Sequence, residues 1–92
     1  MRRISAHRDD AEAPIVAALR QAGASVFLVT TKDAPDLVIG FRGSTVLAEV
    51  KTGTRKLKAN QRTFAETWRG GPLVELRTVD EALSLLGVMC RG

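Results

Sequence analysis

Ile15, Ala18, Leu19 and Ala22 recur at the i, i+3, i+4, i+7 spacing of one helix face. The spacing predicts a first helix that Asp9 or Asp10 can cap, running to about Ala22 with Gly23 as its stop. Pro14 fits such a helix only in its first turn. Ser25 to Thr31 is rich in β-branched residues and reads as a strand. Two apolar runs, Pro35–Phe41 and Thr45–Lys51, then flank the short break Arg42-Gly43-Ser44, which is a hairpin signal. Both runs are apolar on both faces, so a central position with helices over the two sides is expected. Lys58 to Arg69 reads as a second helix with Gln61, Phe64, Ala65 and Trp68 on one face, and the helical spacing assigns Phe64 and Trp68 to the core. Gly70-Gly71-Pro72 breaks it, and Leu73 to Arg77 makes a further strand. Thr78-Val79-Asp80-Glu81 is a capping box that opens a last helix, with Gly87 as its stop. The expected order is α-β-β-β-α-β-α, an α/β fold with a mixed β-sheet flanked by helices. Residues 1–92 form one domain in this reading, with a basic arm at 1–8 and a tail at 88–92.

Polar residues interrupt the hairpin at three places. If the turn is the two-residue Arg42-Gly43, Phe41 faces Ser44, and counting outwards sets Asp36 against Glu49. Directly opposed residues lie about 5 Å apart at Cβ. Lys51, two residues beyond Glu49, projects from the same face. Two carboxylates side by side among apolar residues are costly, because like charges repel across a ladder and buried charges need partners. Lys51 supplies one positive charge. A divalent cation would supply two more, and carboxylate ligands suit a hard ion such as Mg²⁺ or Mn²⁺. A surface Asp–Lys–Glu ion cluster without a metal fits the same spacing. Glu12 falls on the buried stripe of the first helix, pointing towards the sheet, although an acid in a first turn is also favoured by the helix dipole.

Pro35-Asp36 followed by Glu49-Val50-Lys51 resembles the PD-(D/E)XK nuclease signature. The longer string Glu49-Val50-Lys51-Thr52-Gly53, with Leu57 and Gln61 downstream, is similar to the VRR-NUC branch of that superfamily. The resemblance covers about residues 8 to 86. The chain departs from it at Lys58-Ala59, where relatives commonly carry Thr or Ser and then Pro. The resemblance implies a restriction-endonuclease-like core and metal-dependent hydrolysis of phosphodiester bonds. It implies Asp36, Glu49 and the Val50 carbonyl as ligands of Mg²⁺ or Mn²⁺, with Glu12 on a second metal or tuning the first. Lys51 and Gln61 are the implied catalytic partners, Gln61 holding a phosphate or a water. Stand-alone relatives resemble Holliday-junction resolvases, which implies a homodimer acting on branched DNA. An inactive nuclease-fold DNA-binding module and a small docking subunit of a replication or packaging assembly are the alternatives.

Charge adds to this picture. The net charge is +4 and the isoelectric point is about 10.0, which favours a polyanionic partner. The positive charge is clustered: Lys51, Arg55, Lys56, Lys58 and Arg62 come without an acid between them, and Arg2, Arg3 and Arg8 cluster in the arm beside His7. Arg55, Lys56, Lys58 and Arg62 are the candidate nucleic-acid contacts, since phosphate contacts call for Lys and Arg. Cys90 is the single cysteine and no Cys/His ligand spacing occurs, which fits a reducing cytoplasm. No apolar run reaches membrane-spanning length and no signal-peptide core is present, so no membrane partner is expected.

Overall fold

Helix α1 spans Glu12–Gln21. The computed structural model describes residues 11–31, 34–51 and 59–90, with the side chains of Ala59, Asn60 and Cys90 outside that description. The predicted Asp9 or Asp10 cap lies outside the described residues. The N-cap is Ala11, which makes no side-chain capping bond. Ile15, Val16 and Leu19 are the buried apolar residues of α1. At its other end the chain turns at Gly23, where φ is 102°. Gly23 N–H donates to the Arg20 carbonyl, and Ala24 N–H to that of Leu19, both at 3.0 Å. These are the two bonds of a Schellman stop, which a glycine in the left-handed region makes without strain.

Strands β1 (Ser25–Leu28), β2 (Leu37–Phe41) and β3 (Ser44–Val50) follow, then α2 (Ala59–Thr67), β4 (Leu73–Leu76) and α3 (Val79–Cys90). The sheet is mixed, in the order β1-β2-β3-β4. The first three strands form an antiparallel meander, and β4 runs parallel to β3. Strand β1 is shorter than the predicted Ser25–Thr31, though Val29 N–H still bonds the Asp36 carbonyl at 2.8 Å. Arg42 and Gly43 make the predicted two-residue turn, with φ of 50° and 85°. Two positive φ angles match the twist of antiparallel strands. Phe41 therefore pairs with Ser44, and Leu37 with Ala48.

One face of the sheet carries Val26, Leu37, Ile39, Val46, Ala48, Val50 and Leu76, all buried. These pack with α1 and with Ala82, Leu86 and Met89 of α3 into a single core. Helix α3 keeps the Thr78 capping box. Glu81 N–H donates to Thr78 Oγ1 at 3.1 Å, while the Glu81 carboxylate accepts from Arg77 N–H at 2.6 Å. The predicted stop at Gly87 and the tail from 88 are corrected, since the helix runs on to Cys90. Ala82, Leu86 and Met89 stand at i, i+4, i+7, and burying Met89 outweighs the roughly 1 kcal/mol that Gly costs inside a helix.

Helices flank the sheet as expected, but among the described residues the apolar packing expected on both faces is found on one. Phe27, Val38, Leu47 and Leu73 point to the other face and none of them is buried. No described side chain of α2 belongs to the core. Phe64 and Trp68 instead stack on each other at 5.2 Å between centroids, and Trp68 remains 43% exposed. Helical spacing establishes that these rings share a face, but not that anything apolar lies opposite. Trp68 lies just past the end of α2, its Nε1–H bonded to the Gly71 carbonyl at 2.9 Å. A Cβ on Gly70 would fall 2.4 Å from the indole, so the helix exit closes over Trp68 only because residue 70 is glycine.

Candidate functional site

Alternation along β3 sends Val46, Ala48 and Val50 into the core and Thr45, Leu47 and Glu49 to the opposite face. Glu49 is nevertheless buried, 3% exposed, and so is Lys51 just beyond the strand. Continuing the β2–β3 register by one step sets Asp36 against Glu49. Asp36 is tied down from two sides. Its carbonyl accepts from Val29 N–H, and its Oδ2 accepts from Val50 N–H, each at 2.8 Å. A carboxylate thus takes over a backbone donor at the point where β2 begins. The bond also fixes the Val50 peptide beside the acids.

Gln61, the polar member of the stripe on α2, reaches this pair. Its Oε1 accepts from the Lys51 ammonium at 2.6 Å, and its Nε2 donates to Glu49 Oε1 at 2.8 Å. One amide therefore spans the acid and the base of the Glu49-Val50-Lys51 motif. Burial pushes the Glu49 carboxyl up to about 8, helped by the negative charge of Asp36 and a hydrogen bond between the two carboxyls. Lys51 opposes that rise, and Glu75 adds slightly to it. The two acids thus compete for charge: with nothing positive between them, a proton stays on Glu49 near neutral pH.

Asp36, Glu49, Lys51 and Gln61 are brought together, as expected from the sequence. Val50 adjoins them through its backbone. Glu12 is buried at the start of α1, but Glu12, Asp36 and Glu49 do not converge: among the described residues no group of three or more acidic, His or Cys side chains could hold a metal ion. Arg62 is exposed on α2 next to Gln61. Arg55, Lys56 and Lys58 lie outside the described residues. Two residues of β4 and its end enter the neighbourhood without having been singled out. Glu75 stands beside Glu49 in the parallel ladder, and Arg77 bonds Glu75 at 3.1 Å. The alternation in Leu73-Val74-Glu75-Leu76-Arg77 puts both on one face, but the long β3–β4 connection hides which face and which register.

Two facing carboxylates that cannot both ionise cheaply fit a hard divalent cation. Mg²⁺ commonly binds through only one or two carboxylates and keeps several waters, so two acids suffice for a donor set. Among the described residues no helix is long and apolar enough to cross a membrane. Compared with family models, with curated proteins and with solved structures, the chain finds no match.

Proposed function

We propose that the protein is a metal-dependent endonuclease that hydrolyses phosphodiester bonds in DNA. The reading rests above all on the pairing of half-buried Asp36 with buried Glu49, with Glu49 pushed up to about 8 and Lys51 tied to it through Gln61. A perturbed carboxyl next to a fixed ammonium is the kind of constellation that marks active sites. The similarity of Asp36, Glu49-Val50-Lys51 and Gln61 to the PD-(D/E)XK pattern supports the same reading, as does the +4 charge. The finer architecture proposed with it is the restriction-endonuclease-like core.

In this proposal Asp36 and Glu49 would hold Mg²⁺ or Mn²⁺, with the Val50 carbonyl as a further donor; Glu12, which does not converge with them, has no part in it. A bound ion of this kind acidifies water and offsets charge on a phosphate. The chain's own residues do the rest. Val50 N–H fixes the Asp36 carboxylate, so one ligand is oriented in advance. Gln61 holds the Lys51 ammonium, and that ammonium faces the phosphate oxygen on which negative charge builds during hydrolysis. Preorganised charge of this sort contributes on the order of 10²-fold or more in rate. The basic residues Arg55, Lys56, Lys58 and Arg62 contact the DNA backbone. Branched DNA is the proposed substrate and a homodimer the proposed assembly.

The test is cleavage of labelled DNA by the full chain, with Mg²⁺, with Mn²⁺ and with excess chelator. Cleavage is expected with either ion and lost with chelator. Asp36→Ala and Glu49→Ala lose metal binding and cleavage together. Lys51→Ala loses roughly 10²-fold in rate while still binding DNA. Wild-type cleavage in excess chelator overturns the site. A Lys51→Ala enzyme as fast as wild type reduces Lys51 to a counter-ion.

A further inference from the structure

The sheet register arranges charge in two rows on the face that carries Glu49. In the first row Asp36, Glu49 and Glu75 come from the β2, β3 and β4 sides. Two residues on, Lys51 and Arg77 make the second. Lys51 N–H donates to the Leu76 carbonyl at 3.0 Å, so the β3–β4 ladder still holds at that level. Neighbouring strands run about 4.8 Å apart, and like charges side by side weaken a sheet. Two cations set next to each other just beyond an acid row form a place where one anion can meet both. Gln61 gives Lys51 a neutral acceptor. Arg77 reaches back along its own chain to Glu75, with Nη2 3.1 Å from Oε1, so its planar fork extends towards the acid row. Arg77 is part-exposed, its side chain 30% accessible, although its Nη1 atom is buried.

We infer that Arg77 is a further substrate-binding residue: with Lys51 it grips the phosphodiester backbone of the strand being cut, on the β4 side of the acid pair. A guanidinium fork matches two oxygens of one phosphate, which an ammonium does not. Glu75 holds that fork in place. The competing explanation is a surface Arg77–Glu75 ion pair, of a kind worth little to stability, and it gives Arg77 no effect on nucleic acid. The inference rests on the nuclease reading above, so its test separates the two.

The experiment measures binding of a fluorescent DNA duplex without divalent metal over a range of KCl, and cleavage of the same duplex with Mg²⁺. It uses the full chain as wild type, Arg77→Gln and Arg77→Lys. Circular dichroism checks the fold, and Arg77→Met, which keeps the apolar stem, replaces Arg77→Gln should that variant not fold. Arg77→Gln is expected to bind about tenfold more weakly. Its log–log salt slope should be shallower by about 0.9, the mark of one lost phosphate contact. Its KM rises by a similar factor while kcat stays within about twofold, because uniform binding is what is lost. Arg77→Lys recovers the slope, since the charge is kept. A neutral variant with wild-type affinity, slope and KM overturns the role of Arg77 while wild-type cleavage leaves the nuclease reading standing. A wild-type chain that neither binds nor cuts DNA overturns both.

Discussion

At the scale of single residues, Glu49 decides how the site responds to pH. Its carboxyl stands at about 8, well above its ordinary 4.5. The folded, metal-free chain therefore keeps a proton that the unfolded chain releases above about pH 4.5. Stability from this group is fully present below 4.5 and falls as pH rises towards 8. The steepest loss is about 1.4 kcal/mol per pH unit, and above 8 the decline levels off. A divalent cation has to displace that proton, so its affinity should climb with pH, by up to about tenfold per unit, until about 8. Calorimetric titration of Mn²⁺ at several pH values, in buffers of different ionisation enthalpy, measures both affinity and protons released. Close to one proton per ion near pH 6.5 is expected. Metal affinity flat from pH 5.5 to 8 would mean that Glu49 is not a ligand. The pairing behind this was legible in the sequence because a two-residue turn leaves no freedom in the count from Phe41–Ser44 back to Asp36 and Glu49. The bond from Asp36 to Val50 N–H was not legible, since side-chain capture of a ladder donor leaves no mark in spacing. Gln61 stood out as a polar break in an apolar stripe, but its two hydrogen bonds, accepted from Lys51 and donated to Glu49, depend on where α2 lies.

Elements behaved according to how local their determinants are. The hairpin, the Schellman stop at Gly23 and the Thr78 capping box are written within a few residues, and all three form. Helix α3 overrode its local signal at Gly87, because what sustains it is Met89 packing into a core built from distant residues. Helix α2 is the reverse case. Its stripe of Phe64 and Trp68 promised a core contact, but the two rings stack on each other across the helix end, leaving Gln61 as a polar tie to the sheet. The hairpin turn gives the cleanest check at this scale. Gly43 has φ 85°, and a Cβ there would meet nothing within 4 Å. The cost of Gly43→Ala is therefore conformational alone, about 1 kcal/mol. For a domain of this size that lowers Tm by roughly 4–8 °C. Thermal unfolding followed by circular dichroism measures it. An unchanged Tm would show that this turn relaxes without strain, and that register is held by the packing of Leu37, Ile39 and Ala48 instead.

For the whole molecule, the core lies on one side of the sheet and the acid pair on the other, beside α2. A single site of this kind cuts one phosphodiester, whereas resolving a branch into two duplexes takes two cuts on strands of like polarity. Two-fold symmetry supplies that pair of sites, and C₂ dimers are the commonest soluble assemblies. The surface allows it: a standard interface takes about 800 Å² per partner, against 5906 Å² for the chain. Most of the surface, with the site and the basic residues 51–62, would remain for DNA. We therefore predict a homodimer presenting two Asp36–Glu49–Lys51 sites to a four-way junction. A linear duplex should bind more weakly, because it cannot meet both basic surfaces at once, and raising the salt should narrow the difference as phosphate contacts are screened. Sedimentation velocity at micromolar concentration, with and without a junction, reads the assembly. Competition between junction and duplex in the cleavage assay reads the preference. A chain that stays monomeric in both conditions and nicks linear duplex as fast as a junction refutes the dimer and the branched substrate together. In that outcome the carboxylate pair still acts on DNA, one strand at a time.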